Sequence, residues 1–152
     1  AEGGWVISGN RSEETNAWIV AQPDVMVASD GIPFLYGPAH PRGSGTFSRI
    51  LGHYSRDQQT VGLMDALKKM TLLPAQRLEN IAPVMRNKGR IRLGADADIT
   101  LFDPDTILDR STYEQGDIPS QGIAHVLVSG TFVVRNGKFI EGIFPGRAIQ
   151  SE

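Results

Sequence analysis

The sequence contains no cysteine, which excludes disulfide bonds and thiolate metal sites but leaves the cellular compartment open. Its 15 basic and 17 acidic residues nearly balance, and the net charge of -2 gives no electrostatic footprint for nucleic acid or an anionic membrane. No apolar run is long enough to cross a bilayer. The 152 residues are therefore expected to form a globular domain that binds neither nucleic acid nor a membrane.

Histidine is scarce as well. The sequence has three, and none belongs to a His-x-His pair. A catalytic zinc site takes about three protein ligands, so this chain lacks an obvious complete set. The sequence begins Ala1-Glu2 without a methionine, and we expect an upstream signal or domain in the parent protein.

The most informative stretch is a short apolar run, residues 25–28, that ends abruptly in Ser29-Asp30-Gly31. A buried parallel strand delivers a carboxylate to the mouth of an α/β fold in this way. Residues 32–46, rich in glycine and proline, are predicted to form a long loop. That loop carries Arg42, whose guanidinium can hold a carboxylate through two parallel hydrogen bonds. A base and an anion clamp together predict catalysis on a small acidic substrate.

The first part of the chain has alternating strand and helix signals. Strands are predicted at residues 5–8 and 25–28, with a helix from Ser12 to about Ala21 between them, and this order predicts a parallel pair. Ser12 can cap that helix, and two glutamates follow in its first turn. Apolar spacing predicts further helices around residues 47–54 and 63–70 and from Pro74 onward.

The character of the chain changes near Asn87, after which the signals are those of strands and tight turns. A strand is predicted at residues 99–102, and residues 105–122 are predicted to be a long surface connection. Two-residue turns at Ser129-Gly130 and Asn136-Gly137 separate apolar runs, a pattern that predicts a small antiparallel meander.

These residues resemble the D-aminoacylase, or N-acyl-D-amino-acid deacylase, group of the amidohydrolase superfamily. The narrower signal is Ser29-Asp30-Gly31 combined with His40-Pro41-Arg42. The later pieces, Gly94-Ala95-Asp96-Ala97-Asp98 and Val126-Leu127-Val128-Ser129-Gly130, are typical of the superfamily as a whole.

The resemblance implies an α/β plus β fold: the last two β/α units of a (β/α)8 barrel, followed by the C-terminal part of a small β-sandwich domain. Residues 1–87 would be the C-terminal segment of the catalytic barrel, and residues 88–152 the C-terminal part of the sandwich. Such enzymes have their histidine pair and most other ligands upstream. The resemblance thus implies a fragment or processed piece that needs the missing N-terminal part of the same protein, and it leaves oligomerisation open.

For the chemistry, the resemblance implies that Asp30 is catalytic. It would lie beside the metal as this chain's one candidate ligand, accept a proton from the metal-activated water and pass it to the leaving amine. Arg42 would hold the α-carboxylate of a small N-acyl-D-amino acid, and His40 would orient the loop or contact the substrate. The cofactor implied is one or two divalent ions, zinc foremost.

Structural interpretations compete with these roles. Ser-Asp-Gly is common turn chemistry, Arg42 could be a surface residue or part of a loop-stabilising salt bridge, and His40 could be structural. His53 and His125 are interpreted as structural, Asp96 and Asp98 as a strand-entry turn without partners, Lys68 and Lys69 as a solvated helix face, and Phe47, Tyr54 and Met70 as core.

Two other functions stay open. One is hydrolysis of cyclic amides, as in dihydroorotases and hydantoinases, although the His40-Pro41-Arg42 loop argues against it. The other is a non-catalytic structural module that lacks the metal site.

Overall fold

The computed structural model describes residues 11–31 and 40–150, which form a helical part followed by one antiparallel sheet. The helices are α1 (Glu13–Ala21), α2 (Arg42–Arg49), α3 (Leu63–Met70) and α4 (Leu72–Leu78), with a π-helix (Ile50–Asp57) that continues α2 and a 3-10 helix (Pro83–Asn87). The strands are β1 (Ile99–Phe102), β2 (Ile123–Val128), β3 (Thr131–Arg135) and β4 (Lys138–Phe139). None of the helices in this part of the chain is long and apolar enough to cross a membrane.

Helix α1 forms where its capping signal predicted. The Ser12 hydroxyl accepts a hydrogen bond from the Thr15 amide at 3.2 Å, and Glu13 and Glu14 occupy the positive first turn. Two side chains of the helix, Ala17 and Val20, pack against the core.

The predicted strand at residues 25–28 is wrong for the described structure, because no strand of the described residues lies beside it. One backbone bond, from Val27 N to the Lys69 carbonyl at 3.1 Å, connects it to α3. A strand needs a neighbour for its ladder, and apolar character alone cannot supply one. The other predicted strand, at residues 5–8, lies outside the described residues.

The predicted loop also ends earlier than expected, because residues from Arg42 onward are helical. Of the segment predicted as loop, residues 32–39 lie outside the described part. The glycines that suggested a loop instead allow close packing: a Cβ on Gly45 would lie 2.7 Å from the Ser111 hydroxyl oxygen. Tertiary contact here outweighs the low helix propensity of glycine.

The core lies between the helices and the segment before β2. Ile107, at 1% exposed, packs with buried residues of the π-helix and α3, so the prediction of a surface connection over 105–122 is wrong at this residue. A Cβ on Gly52 would lie only 2.4 Å from the Ile107 carbonyl oxygen. The core prediction holds for Tyr54 and Met70, whereas Phe47 is 44% exposed.

The sheet is the predicted meander, with neighbouring strands antiparallel in the order β1-β2-β3-β4. The turns between β2 and β3 and between β3 and β4 each have two residues of positive φ: 49° and 77° at Ser129-Gly130, and 52° and 72° at Asn136-Gly137. Paired positive φ angles match the right-handed twist of a two-residue hairpin.

Candidate functional site

Asp30 and Arg42 lie against each other. The Nη1 of Arg42 is 3.0 Å from the Oδ2 of Asp30, and their side chains are 37% and 77% exposed, respectively. An exposed carboxylate and a half-buried guanidinium are therefore both open to a small molecule at the start of α2.

Backbone packing sets this proximity. A Cβ on Gly31 would lie 3.2 Å from the Cα of Gly43, so glycine allows the chain after Asp30 to approach the first turn of α2. The Ser29 hydroxyl accepts a hydrogen bond from the Gly31 amide at 3.2 Å, and Asp30 itself has a φ of 48°. Positive φ in a non-glycine residue is unusual, and aspartate is among the residues that tolerate it.

His40 precedes the N-cap residue of α2, Pro41, and its side chain bonds the first backbone amide of the helix. Its Nδ1 accepts a hydrogen bond from the Arg42 backbone amide at 3.0 Å. Burial lowers the pKa of His40, and the positive charge of Arg42 lowers it further against an opposing effect of Asp30. The neutral imidazole keeps the Nδ1 lone pair that this cap requires.

One donor of the Arg42 guanidinium makes no hydrogen bond in the described structure. Its Nε is buried and has no hydrogen-bond partner among residues 11–31 and 40–150. The contact with Asp30 involves one carboxylate oxygen. Because Nε is buried, an incoming anion would engage the Nη donors of the guanidinium, which arginine can offer to a carboxylate.

Sequence reasoning missed a contribution from the segment between β1 and β2. The Tyr113 ring lies edge-on to His40, with 5.3 Å between ring centroids. The Ser111 hydroxyl donates to the Pro41 carbonyl at 3.0 Å, and the Ser120 hydroxyl donates to the Ser44 carbonyl at 2.9 Å. No local pattern signals such contacts, because they connect residues far apart in the chain.

The other polar candidates have structural partners. Lys88 contacts both Asp96, at 2.9 Å, and Asp98, at 2.6 Å, so the interpretation of this pair as lacking partners is wrong. His53 Nε2 lies 2.7 Å from a Glu13 carboxylate oxygen and connects the π-helix to α1. His125 Nδ1 accepts a hydrogen bond from the Asn136 amide at 3.2 Å.

A zinc ion would need more ligands than this site supplies. In the part of the chain that the structure describes, no three histidine, aspartate or glutamate side chains are grouped so that they could hold a metal ion. Asp30 contributes one carboxylate, whereas a zinc site takes about three or four ligands. The described residues therefore do not form a zinc site by themselves.

Comparison with known sequences gives clear relatives, although no protein-family model matches the chain. The chain is 45% identical over 108 residues to an N-acyl-D-glutamate deacylase of Alcaligenes xylosoxydans xylosoxydans, covering 71% of this chain and 21% of the relative. It is 38% identical over 131 residues to a D-aminoacylase of the same organism, covering 86% and 26%. The chain thus spans about a quarter of the length of the curated relatives it matches.

Solved structures of the same group of proteins match the fold of this chain. A crystal structure of D-aminoacylase, described as defining a subset of the amidohydrolases, matches with a TM-score of 0.81 and 37% identity, over 91% of this chain and 28% of that one. An N-acyl-D-glutamate deacylase from Bordetella bronchiseptica, complexed with zinc and a phosphonate inhibitor, matches with a TM-score of 0.72 and 41% identity, over 80% and 24%. The predicted resemblance to this group is confirmed in sequence and in fold.

Proposed function

We propose that this chain, which is related in sequence and fold to part of the D-aminoacylases and N-acyl-D-amino-acid deacylases, is the C-terminal portion of a metal-dependent hydrolase. The complete protein would hydrolyse the amide bond of N-acyl-D-amino acids. The observation that carries the proposal is the 3.0 Å contact between Asp30 and Arg42. In an N-acyl-amino acid, the carboxylate and the scissile nitrogen are bonded to the same carbon, so an anion clamp and a proton-transfer group must lie side by side.

We assign the helical part to the last two β/α units of the barrel and the sheet to the C-terminal part of the sandwich. The division near Asn87 is supported by the end of the last helix at that residue and the start of β1 at Ile99. The segment that ends at Asp30 would be a barrel strand whose neighbours come from earlier sequence. That origin accounts for the absence of a strand ladder at residues 25–28 in the described structure.

Asp30 would carry the proton transfer. Its carboxylate is exposed at the end of its segment, where it can accept a proton from the attacking water and return it to the departing amine nitrogen. Zinc, when bound, would activate water and polarise the acyl carbonyl. Asp30 would be one ligand, and the remaining ligands would come from upstream sequence.

Arg42 would hold the α-carboxylate of the substrate through its guanidinium, on a side chain that is 37% exposed. His40 would position Arg42 without contacting the substrate. Its hydrogen bond from the Arg42 amide fixes the first turn of α2 and so orients the arginine. The substrate bound in this way presents its amide nitrogen toward Asp30.

The test is an assay of the full-length protein with matched substrates. N-acetyl-D-glutamate, its L-enantiomer and a cyclic amide such as hydantoin are incubated with the enzyme. Free amine is measured for the two N-acetylglutamates, and the ring-opened N-carbamoyl amino acid is measured for hydantoin. We expect release from the D-substrate, loss of activity on chelation, and recovery with zinc.

Two outcomes contradict the proposal. Preferential opening of the cyclic amide would favour the dihydroorotase-like and hydantoinase-like alternative. No turnover of any amide by protein loaded with zinc would favour a non-catalytic module.

A further inference from the structure

Lys69 is a buried charged residue that the proposed mechanism does not use. It lies near the end of α3 and is 3% exposed, so the prediction of a solvated helix face is wrong at this position. The neighbouring Lys68 is exposed. Lysine is almost never fully buried unless its ammonium is paired, so the contacts of Lys69 need an explanation.

Among the described residues, the side-chain hydrogen bonds of Lys69 go to the segment that leads to Asp30. Its Nζ donates to the Gln22 carbonyl, and also to the Val25 carbonyl at 3.2 Å. Its own carbonyl accepts from the Val27 amide at 3.1 Å. Three bonds from one residue thus hold residues 22–27, a stretch with no strand ladder in the described structure.

From these contacts we infer that Lys69 is a positioning residue for Asp30. Its ammonium and carbonyl fix the backbone of residues 22–27 and thereby set where the carboxylate lies relative to Arg42. This inference rests on the proposed function, because it takes Asp30 to be the proton-transfer group.

A lysine suits this role for a physical reason. The Gln22 and Val25 carbonyls belong to part-buried residues, and the ammonium offers three donors on a stem long enough to reach them from α3. A methionine would fill a similar volume but would remove the ammonium from both carbonyls, leaving the Gln22 carbonyl with the 3.4 Å hydrogen bond from the Val25 amide. The freed segment would move, and a misplacement of about 1 Å at a catalytic group costs about 10²-fold in rate.

The experiment compares Lys69→Met with Lys68→Met in the full-length enzyme, using N-acetyl-D-glutamate. We expect kcat to fall by about 10²-fold in Lys69→Met, with KM changed less than about threefold, since Arg42 still binds the carboxylate. Lys68→Met should match the wild type. Hydrogen exchange at the Val27 amide should be faster in Lys69→Met alone. The variant keeps the backbone carbonyl that accepts from this amide, so faster exchange would report that residues 22–27 loosen once the ammonium is lost.

A double-mutant cycle separates positioning from general damage. If Lys69 acts through Asp30, adding Lys69→Met to Asp30→Asn should lower kcat little further, because the group that it positions is already lost. Should Lys69→Met fail to fold, Lys69→Gln, which keeps an N–H donor, replaces it in the same cycle. Additive losses, or a kcat equal to that of the Lys68→Met control, would overturn the inference.

A different result would contradict the proposed function. A normal kcat in Asp30→Asn would overturn the role of Asp30. The hydrogen bonds from Lys69 to residues 22–27 would then have no catalytic role. The expected loss in Asp30→Asn combined with normal kcat in Lys69→Met would overturn this inference alone.

Discussion

The guanidinium of Arg42 and the carboxylate of Asp30 meet at 3.0 Å, one at the first residue of α2 and the other at the end of the segment that follows α1. The contact brings together two residues with different proposed roles. Substitutions at the two positions should therefore change different kinetic constants.

Asp30→Asn is expected to lower kcat by at least about 10²-fold, the usual contribution of a general base. The amide is nearly isosteric with the carboxylate but cannot accept and return the proton. The measurement is steady-state kinetics of the full-length enzyme, with circular dichroism to show an intact fold. A folded variant with normal kcat would mean that Asp30 is a turn residue only.

Arg42→Lys should raise KM more than it lowers kcat, because lysine keeps the charge but loses the planar fork. The loss of apparent binding free energy should depend on whether the substrate has an α-carboxylate. N-acyl-D-amino acids should lose about 1.5–3 kcal/mol of apparent binding, the range for a hydrogen bond to a charged group. The matching D-amino-acid amides, which lack the carboxylate, should lose little, and equal losses on both would remove the clamp role.

Gly52→Ala is expected to destabilise the fold by about 1–3 kcal/mol, as in other overpacked cores. The added Cβ would lie 2.4 Å from the Ile107 carbonyl oxygen, and a backbone atom there cannot move without shifting the core. Gly43→Ala is the control, since its Cβ meets nothing within 4 Å in the described structure. Urea denaturation measures both, and equal stability of the two variants would contradict the packing argument.

Asp98→Asn should reduce stability at neutral pH and have a smaller effect in acid. The hydrogen bond from Lys88 lowers the pKa of the Asp98 carboxyl against the opposing effect of burial, and the Ser129 amide lowers it further. A carboxyl whose pKa is lower in the folded state stabilises the protein above its unfolded pKa of about 3.9, and this contribution disappears as the pH falls through the folded value.

The free energies of unfolding of wild type and Asp98→Asn should therefore differ from pH 7 down to about pH 4 and converge below it. Asp117→Asn serves as the control, because Asp117 is exposed and has no ion pair among the described residues. A difference that stayed constant into acid would show that the carboxylate charge is not the cause.

Local sequence determined the elements whose signals are short-range. Ser12 and the two glutamates after it specify the start of α1. The Asn136-Gly137 and Ser129-Gly130 pairs signal hairpins, because a two-residue turn requires positive φ at both positions and glycine, and also asparagine, adopts it readily. The sequence also singled out Asp30, Arg42 and His40, and the family resemblance that rests on them is confirmed, whereas their roles stay predictions.

Tertiary structure decided the features that depend on distant partners. Lys69 is buried because carbonyls of another segment need its ammonium, a fact that its position on α3 cannot reveal. Tyr113 reaches His40 because Ser111 and Ser120 hold its segment against α2. An apolar run at residues 25–28 signals burial, but hydrogen bonding in a strand requires a neighbouring strand, and the neighbour is set by the fold rather than by the run itself.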